Sequence, residues 1–268
     1  MENASKFRSK IGRGEVCLGT IISCTDATIT EALCASGVSD FVWIDMEHSA
    51  LSLETVQAHV MATRGSDTAS LVRVPWNDAV LIKPVLDIGA DGVIVPLVRT
   101  ADDVRQAVAA CRYPPEGIRG FGPRRASGYG RLGGPEYCRL ANETVIVVVQ
   151  IEHIDAAHNL DQILAVPGLT SIVIGPNDLA GSMGLMGQPG HPEVVSVMET
   201  IIAKTRQTGV WASVAVGGGP ENFAAWARRG AQWMPVGGDI GFMLSAARQA
   251  GDQVREHLRR APADGKPQ

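Results

Sequence analysis

The chain has 268 residues, 45% of them hydrophobic and 19% charged, with 30 glycines, a make-up that excludes extended disorder, a coiled coil and collagen-like repetition. At this length one core can bury about 75% of the surface exposed by the unfolded chain, so no disulfide or metal staple is required for folding. A formal charge of −4, with no dense Lys/Arg tract, argues against nucleic acid and anionic membrane as partners.

Taken in chain order, short β-branched apolar runs alternate with segments of helical spacing. The run at 18–22 is followed by a predicted helix over 27–36, and 41–45 by 53–63. The pairs 70–74 and 79–88, 92–98 and 101–111, 145–151 and 156–164 come next. The last three pairs are 171–174 and 192–208, 211–216 and 220–229, 232–236 and 242–260. Near-continuous apolar strands suit a parallel sheet covered on both faces, and Pro192 and Pro220 supply helix-start signals. Eight such units predict an α/β chain folded as a single-domain (β/α)₈ TIM barrel over 1–260, with 261–268 as a C-terminal tail. A doubly wound sheet would also alternate, but no Gly-x-Gly-x-x-Gly follows the first run. The stretch 114–142, rich in glycine, arginine and proline, has no clean period and reads as a long loop.

Five cysteines at 17, 24, 34, 111 and 138 form no Cys-x-x-Cys pair, which fits reduced, buried thiols in the cytoplasm better than a disulfide frame or a zinc site. Residues 1–16 contain no apolar h-region, and the strongest apolar run falls short of the ~18 residues a membrane span needs, so neither a signal nor a spanning segment is expected.

In a barrel of this kind the active face is formed where the strands end. There the sequence places Asp45, Met46, Glu47 and His48, then Arg73, then Gln150 and Glu152, then Gly175, Pro176, Asn177 and Asp178. Glu152 and Asp178, two carboxylates from successive strand ends, suit Mg²⁺ or Mn²⁺; as isolated groups they read equally as solvated loop acids or helix caps. Asp45 and His48 form a candidate acid/base unit, the carboxylate orienting the imidazole, against the plainer reading of a hydrogen-bonded loop histidine. The other five histidines read as surface or capping groups. Arg73 offers fixed donors to a carboxylate or enolate oxygen, or else a surface salt bridge. Arg119, Arg124 and Arg125 suit an anionic substrate, a subunit contact or a solvated face. No lysine lies at a predicted strand end, which disfavours imine catalysis. The turns at 217–219 and 237–238 suit either phosphate binding or simple tightness.

Five ordered strings, Phe-Val-Trp-Ile-Asp-Met-Glu-His (41–48), Gly-Ala-Asp-Gly-Val-Ile-Val-Pro (89–96), Arg-Tyr-Pro-Pro-Glu-Gly-Ile-Arg-Gly (112–120), Val-Gln-Ile-Glu (149–152) and Gly-Pro-Asn-Asp-Leu (175–179), resemble the HpcH/HpaI aldolase family. The resemblance runs from the first strand to the last helix. It implies a class II aldolase that reversibly cleaves 4-hydroxy-2-oxo acids into pyruvate, or a related 2-oxo acid such as hydroxypyruvate, and an aldehyde. It further implies that Glu152 and Asp178 hold a divalent ion (Mg²⁺, Mn²⁺ or Co²⁺), that Arg73 binds the keto oxygen and that His48 with Asp45 supports proton transfer. Gln150 and the backbone of 175–178 would help seat the pyruvyl carboxylate. A homohexamer, a trimer of dimers that exchange the C-terminal helix, is implied as well. Met46 and Asn177 depart from the family pattern beside the substrate, leaving the size of the acceptor open. Related readings are a CoA-thioester lyase, an oxaloacetate decarboxylase and a non-catalytic metabolite-binding barrel.

Overall fold

The structure, a computed structural model, describes residues 2–260; the predicted tail at 261–268 lies outside them. Eight strands, β1 (Cys17–Ile22), β2 (Phe41–Asp45), β3 (Ala69–Arg73), β4 (Gly92–Val95), β5 (Ile146–Ile151), β6 (Ser171–Ile174), β7 (Trp211–Val214) and β8 (Trp233–Gly238), close a parallel barrel in sequential order. This is the predicted (β/α)₈ architecture, and closure rules out the doubly wound sheet. Around it run α1 (Glu2–Gly12), α2 (Thr28–Ser36), α3 (Leu53–Ala62), α4 (Ala79–Asp87), α5 (Ala101–Cys111), α6 (Gly134–Thr144), α7 (Ile154–His158), α8 (Leu160–Leu164), α9 (Pro176–Ser182), α10 (Pro192–Thr205), α11 (Pro220–Arg229) and α12 (Asp239–Arg260).

Strand alternation divides the core in two. Outward residues such as Val42, Ile44, Val72 and Val147 pack against the helices, whereas Phe41, Trp43, Leu71, Ile94, Val148 and Trp233 fill the barrel interior. The lower end of that interior is plugged by α1, a helix the sequence reading did not anticipate. Its Ala4, Phe7 and Ile11 are buried, and Phe7 meets Phe41, Trp211 and Trp233 edge-on at 5.7, 6.1 and 6.3 Å. Their spacing of three and four residues was the available signal.

Other differences are local. The segment 114–142 contains the start of α6, which opens on Gly134-Pro135. The predicted helix over 156–164 is two short helices sharing Asn159 as a cap. Strand β4 stops at Val95 because Pro96 has no N–H for the ladder and Leu97 turns into the left-handed region at φ 54°. Helix α9 was not foreseen. Of the cysteines, all free, Cys17 and Cys111 are buried and the other three half-buried.

Candidate active site

Period-two alternation brings Asp45, Arg73, Gln150 and Glu152 to one rim, the end where β2, β3 and β5 finish. The β2–β3 register sets Asp45 directly beside Arg73. The Arg73 guanidinium donates to both Asp45 oxygens, Nε to Oδ1 at 2.9 Å and Nη2 to Oδ2 at 2.7 Å, the bidentate geometry that only arginine provides. Its Nη1 donates to Gln150 Oε1 at 3.2 Å and lies 2.9 Å from Glu47 Oε2. The guanidinium carbon sits 5.1 Å over the Trp43 ring in the barrel interior. Gln150 Nε2 passes the chain on to Glu152 Oε2 at 2.6 Å, and the Leu97 N–H donates to Glu152 Oε1 at 2.7 Å. Leu97 is a positioning group that the sequence reading missed; Pro96, which ends the strand there, was the only hint.

The electrostatics follow from burial. Glu152, 3% exposed, has its carboxyl pushed up to about 7, first by burial and then by the charges of Glu47 and Asp178, with the Leu97 N–H and Arg73 opposing. Glu47 is likewise raised, by burial foremost and by Asp45 and Asp178, against Arg73 and His48. Burial would raise Asp45 too, but hydrogen bonds and charge from Arg73, with the Glu47 and His48 N–H groups, hold it below the ordinary carboxylate value. Asp45 and Glu47 thus pair with one guanidinium, while the charges of Glu47 and Asp178 act on Glu152. Glu47 Oε2 is buried without a hydrogen bond among the described residues. A Cβ at Gly175 would come within 2.5 Å of Glu152 Oε2, so the glycine keeps the space beside that carboxylate open. This hard, oxygen-only surplus of negative charge fits a divalent cation. No group of three or more His, Cys, Asp or Glu side chains poised to hold an ion occurs among the described residues.

The remaining predicted residues lie on the same rim in a different arrangement. The side chains of Asp45 and His48 do not form the expected unit. Asp45 Oδ1 accepts the backbone N–H groups of Glu47 and His48 at 3.0 and 3.3 Å, because β2 ends at Asp45 and its carboxylate closes the following turn while holding Arg73. The exposed His48 imidazole instead lies 3.8 Å from Glu47 Oε2. Gly175 is the N-cap of α9, and Pro176, Asn177 and Asp178 are its first turn, with Asn177 and Asp178 exposed. Arg119 and Arg125 serve the opposite end of the barrel. Arg119 pairs with Asp87 at 2.7 Å, and Arg125 donates to the carbonyl of Ile88 at 2.6 Å. Gly237 and Gly238 close strand β8 instead of forming the expected turn, and a Cβ at Gly237 would lie 2.6 Å from the Phe242 ring. His153 and His191 cap helices as expected, but His59 is fully buried, bonded to Thr30 Oγ1 at 2.8 Å and to the Cys24 carbonyl oxygen at 3.0 Å. The lysines among the described residues lie on α1, α4 and α10, away from the rim.

With this geometry in place, the sequence profile of the HpcH/HpaI aldolase/citrate lyase family matches residues 21–246. The chain belongs to this family. It is 42% identical over 211 residues to the 4-hydroxy-2-oxo-heptane-1,7-dioate aldolase of Salmonella typhimurium, covering 78% of each chain. It is 38% identical over 250 residues to the enzyme of that name from Escherichia coli, covering 92% of this chain and 93% of that one. An HpcH/HpaI aldolase/citrate lyase family protein from Burkholderia cenocepacia superposes with a TM-score of 0.86 at 32% identity, over 94% of this chain and 99% of the other. Membership of the HpcH/HpaI family makes the chain a carbon–carbon lyase of the aldolase type.

Proposed function

We propose that the chain is a class II aldolase that reversibly splits a 4-hydroxy-2-oxo acid into pyruvate, or a closely related 2-oxo acid, and an aldehyde. The observation that supports this reading is the Asp45–Arg73–Gln150–Glu152 chain, which fixes one guanidinium in the same hydrogen-bond network as the buried Glu152 carboxylate. Bound by Glu152 and Asp178, Mg²⁺, Mn²⁺ or Co²⁺ supplies Lewis-acid polarisation of the 2-oxo group.

The residues supply the rest. Arg73 donates to the 2-oxo oxygen, where negative charge accumulates as the C3–C4 bond breaks, and because Asp45 and Gln150 already fix it, little reorganisation is needed at that moment. The 4-hydroxyl proton leaves as the C3–C4 electron pair moves into the enolate, and the aldehyde departs. C3 then takes a proton to give the pyruvate methyl group. His48, exposed at the rim beside Glu47, is the proton carrier for these exchanges, and Asp45 acts on it only through the backbone turn. Gln150 and the first turn of α9, Gly175 to Asp178, seat the carboxylate of the oxo acid. The free thiols support a cytoplasmic setting, and among the described residues no helix is long and apolar enough to cross a membrane. The homohexamer is part of the same proposal.

Proton NMR of pyruvate in D₂O tests this without a choice of aldehyde. Loss of the methyl signal with protein and Mg²⁺, and its retention with a chelator, is the expected result. Retention with each of Mg²⁺, Mn²⁺ and Co²⁺ would overturn the pyruvate reading.

A further inference from the structure

A cavity lies at the opposite end of the barrel from Arg73 and Glu152. It has a volume of about 370 Å³ and is lined by residues at the C-terminal ends of α3 and α4, by the 125–132 segment and by α6. The residues Gly89 to Asp91 and Val145 that border it immediately precede β4 and β5. At about 3.3 Å per residue, the length of β3 alone separates it from the catalytic rim by roughly 16 Å.

The charges lining this cavity are unbalanced. Four arginines, Arg64, Arg119, Arg125 and Arg131, face two acids, Glu2 and Asp91, and both acids are engaged elsewhere. Glu2 pairs with Lys6 at 2.9 Å, while Asp91 accepts the Ala4 N–H at 3.1 Å and both the N–H and hydroxyl of Ser70 at 3.0 Å. Two of the four arginines are left without partners: among the described residues the side chains of Arg64 and Arg131 make no ion pair or hydrogen bond, and both are exposed. Arg125 donates only to backbone carbonyls, Ile88 at 2.6 Å and Val60 at 3.4 Å. Burial, and then the nearby charge of Arg64, pull its guanidinium below the ordinary arginine value. Arg119, 4% exposed, is the most engaged of the four: its Nη2 holds Asp87 at 2.7 Å and reaches the Tyr137 hydroxyl at 3.5 Å, and its guanidinium lies 4.5 Å over the Tyr113 ring, while its Nε is buried without a partner among the described residues. A buried donor left unmade carries its full desolvation cost, and several guanidinium forks around one hollow are the geometry that recognises closely spaced oxyanions.

We propose that this cavity is a second, non-catalytic binding site for a small metabolite with at least two negative charges, a phosphate ester or a dicarboxylate. Of its four arginines Arg64 and Arg131 are exposed, Arg125 is half-buried and Arg119 is buried. The volume is within the about 300–1,000 Å³ of small-molecule sites.

The test is calorimetric titration of the full chain with inorganic phosphate and, separately, with succinate, against chloride at matched ionic strength. The same titrations are run on the double variant Arg64→Ala/Arg131→Ala, whose exposed positions spare the core, and on Arg73→Lys, which alters only the catalytic rim. Saturable binding of one of the two dianions, at least tenfold weaker in the double variant and unchanged in Arg73→Lys, supports the proposal, and the tighter probe shows whether phosphate or carboxylate is preferred. No saturable binding of either anion overturns it. Equal binding by the double variant, or loss only in Arg73→Lys, overturns it by locating the anion elsewhere. A double variant that sediments as a smaller species, with no anion binding by the wild-type chain, would assign the arginines to a contact with a second copy and also overturn it. Pyruvate methyl exchange by the double variant is expected to be unchanged, so the result is independent of the catalytic assignment.

Discussion

At the scale of single residues, the site depends on how Arg73 is held. Its charge is shared between Asp45 and Glu47 with only 11% of its side chain exposed, so Arg73→Ala would strand two acids and cost about 3–5 kcal/mol of stability. Arg73→Lys keeps the charge and loses the fork. It is expected to retain a native circular dichroism spectrum and to slow pyruvate methyl exchange by about 10²–10³-fold, the effect of losing one preorganised donor; an unchanged exchange rate would remove Arg73 from the chemistry. Glu152→Gln preserves volume while removing one of several crowded negative charges. The variant should therefore melt no lower than the wild type, yet show neither Mg²⁺ binding by calorimetry nor metal-dependent exchange. Full exchange in this variant would move the metal assignment away from Glu152.

Two contacts between elements carry predictions of their own. Helix α1 closes the barrel floor through Phe7, which is 1% exposed, so Phe7→Ala should destabilise the chain by about 3–5 kcal/mol through the cavity left among Phe41, Trp211 and Trp233. A urea titration measures this, and a loss below about 1 kcal/mol would mean that α1 is only loosely seated. The second element pair, α2 and α3, is joined by His59 through Thr30. Burial, only partly offset by the Cys24 carbonyl and the charges of Asp239 and Asp26, holds this imidazole below its ordinary 6.5. Between the depressed value and 6.5 the unfolded chain binds more protons than the folded one, so stability present at neutral pH is lost as pH falls below 6.5 and levels off beneath the folded value. The urea midpoint should drop on going from pH 7.5 to 5.5, and the drop should be smaller in His59→Gln. An equal drop in the variant would assign the pH dependence to other groups.

For the whole molecule, the outstanding surface is α12, where Phe242, Leu244, Val254 and Leu258 are exposed together with Ile240 and Met243. Apolar residues at this density on one helix are the mark of an interface, in keeping with the proposed exchange of this helix between subunits. Sedimentation should show an oligomer, and Val254→Glu/Leu258→Glu should shift it towards smaller species; an unchanged distribution would exclude this face from assembly.

The sequence by itself determined the barrel and the polar rim. Eight apolar runs separated by helical spacing leave few ways to bury both sheet faces, and strand ends bearing Asp45, Arg73, Gln150 and Glu152 must share a rim once every strand is parallel. It also carried the family motifs, which the profile match over 21–246 bears out. Tertiary structure decided what those side chains touch. Strand register gave the Asp45 carboxylate to Arg73, and the turn after β2 took up its remaining capacity, leaving the His48 imidazole beside Glu47. Helix α1 was obscured because three apolar residues in a polar stretch become significant only against the aromatic floor they plug. The arginines of the 114–142 stretch could not be assigned from spacing, since their positions depend on a non-local packing of that segment beneath α4. Local pattern specifies which face a residue takes; only the closed barrel specifies its partner, because such partners are brought together by register and long-range packing, which no window of sequence contains.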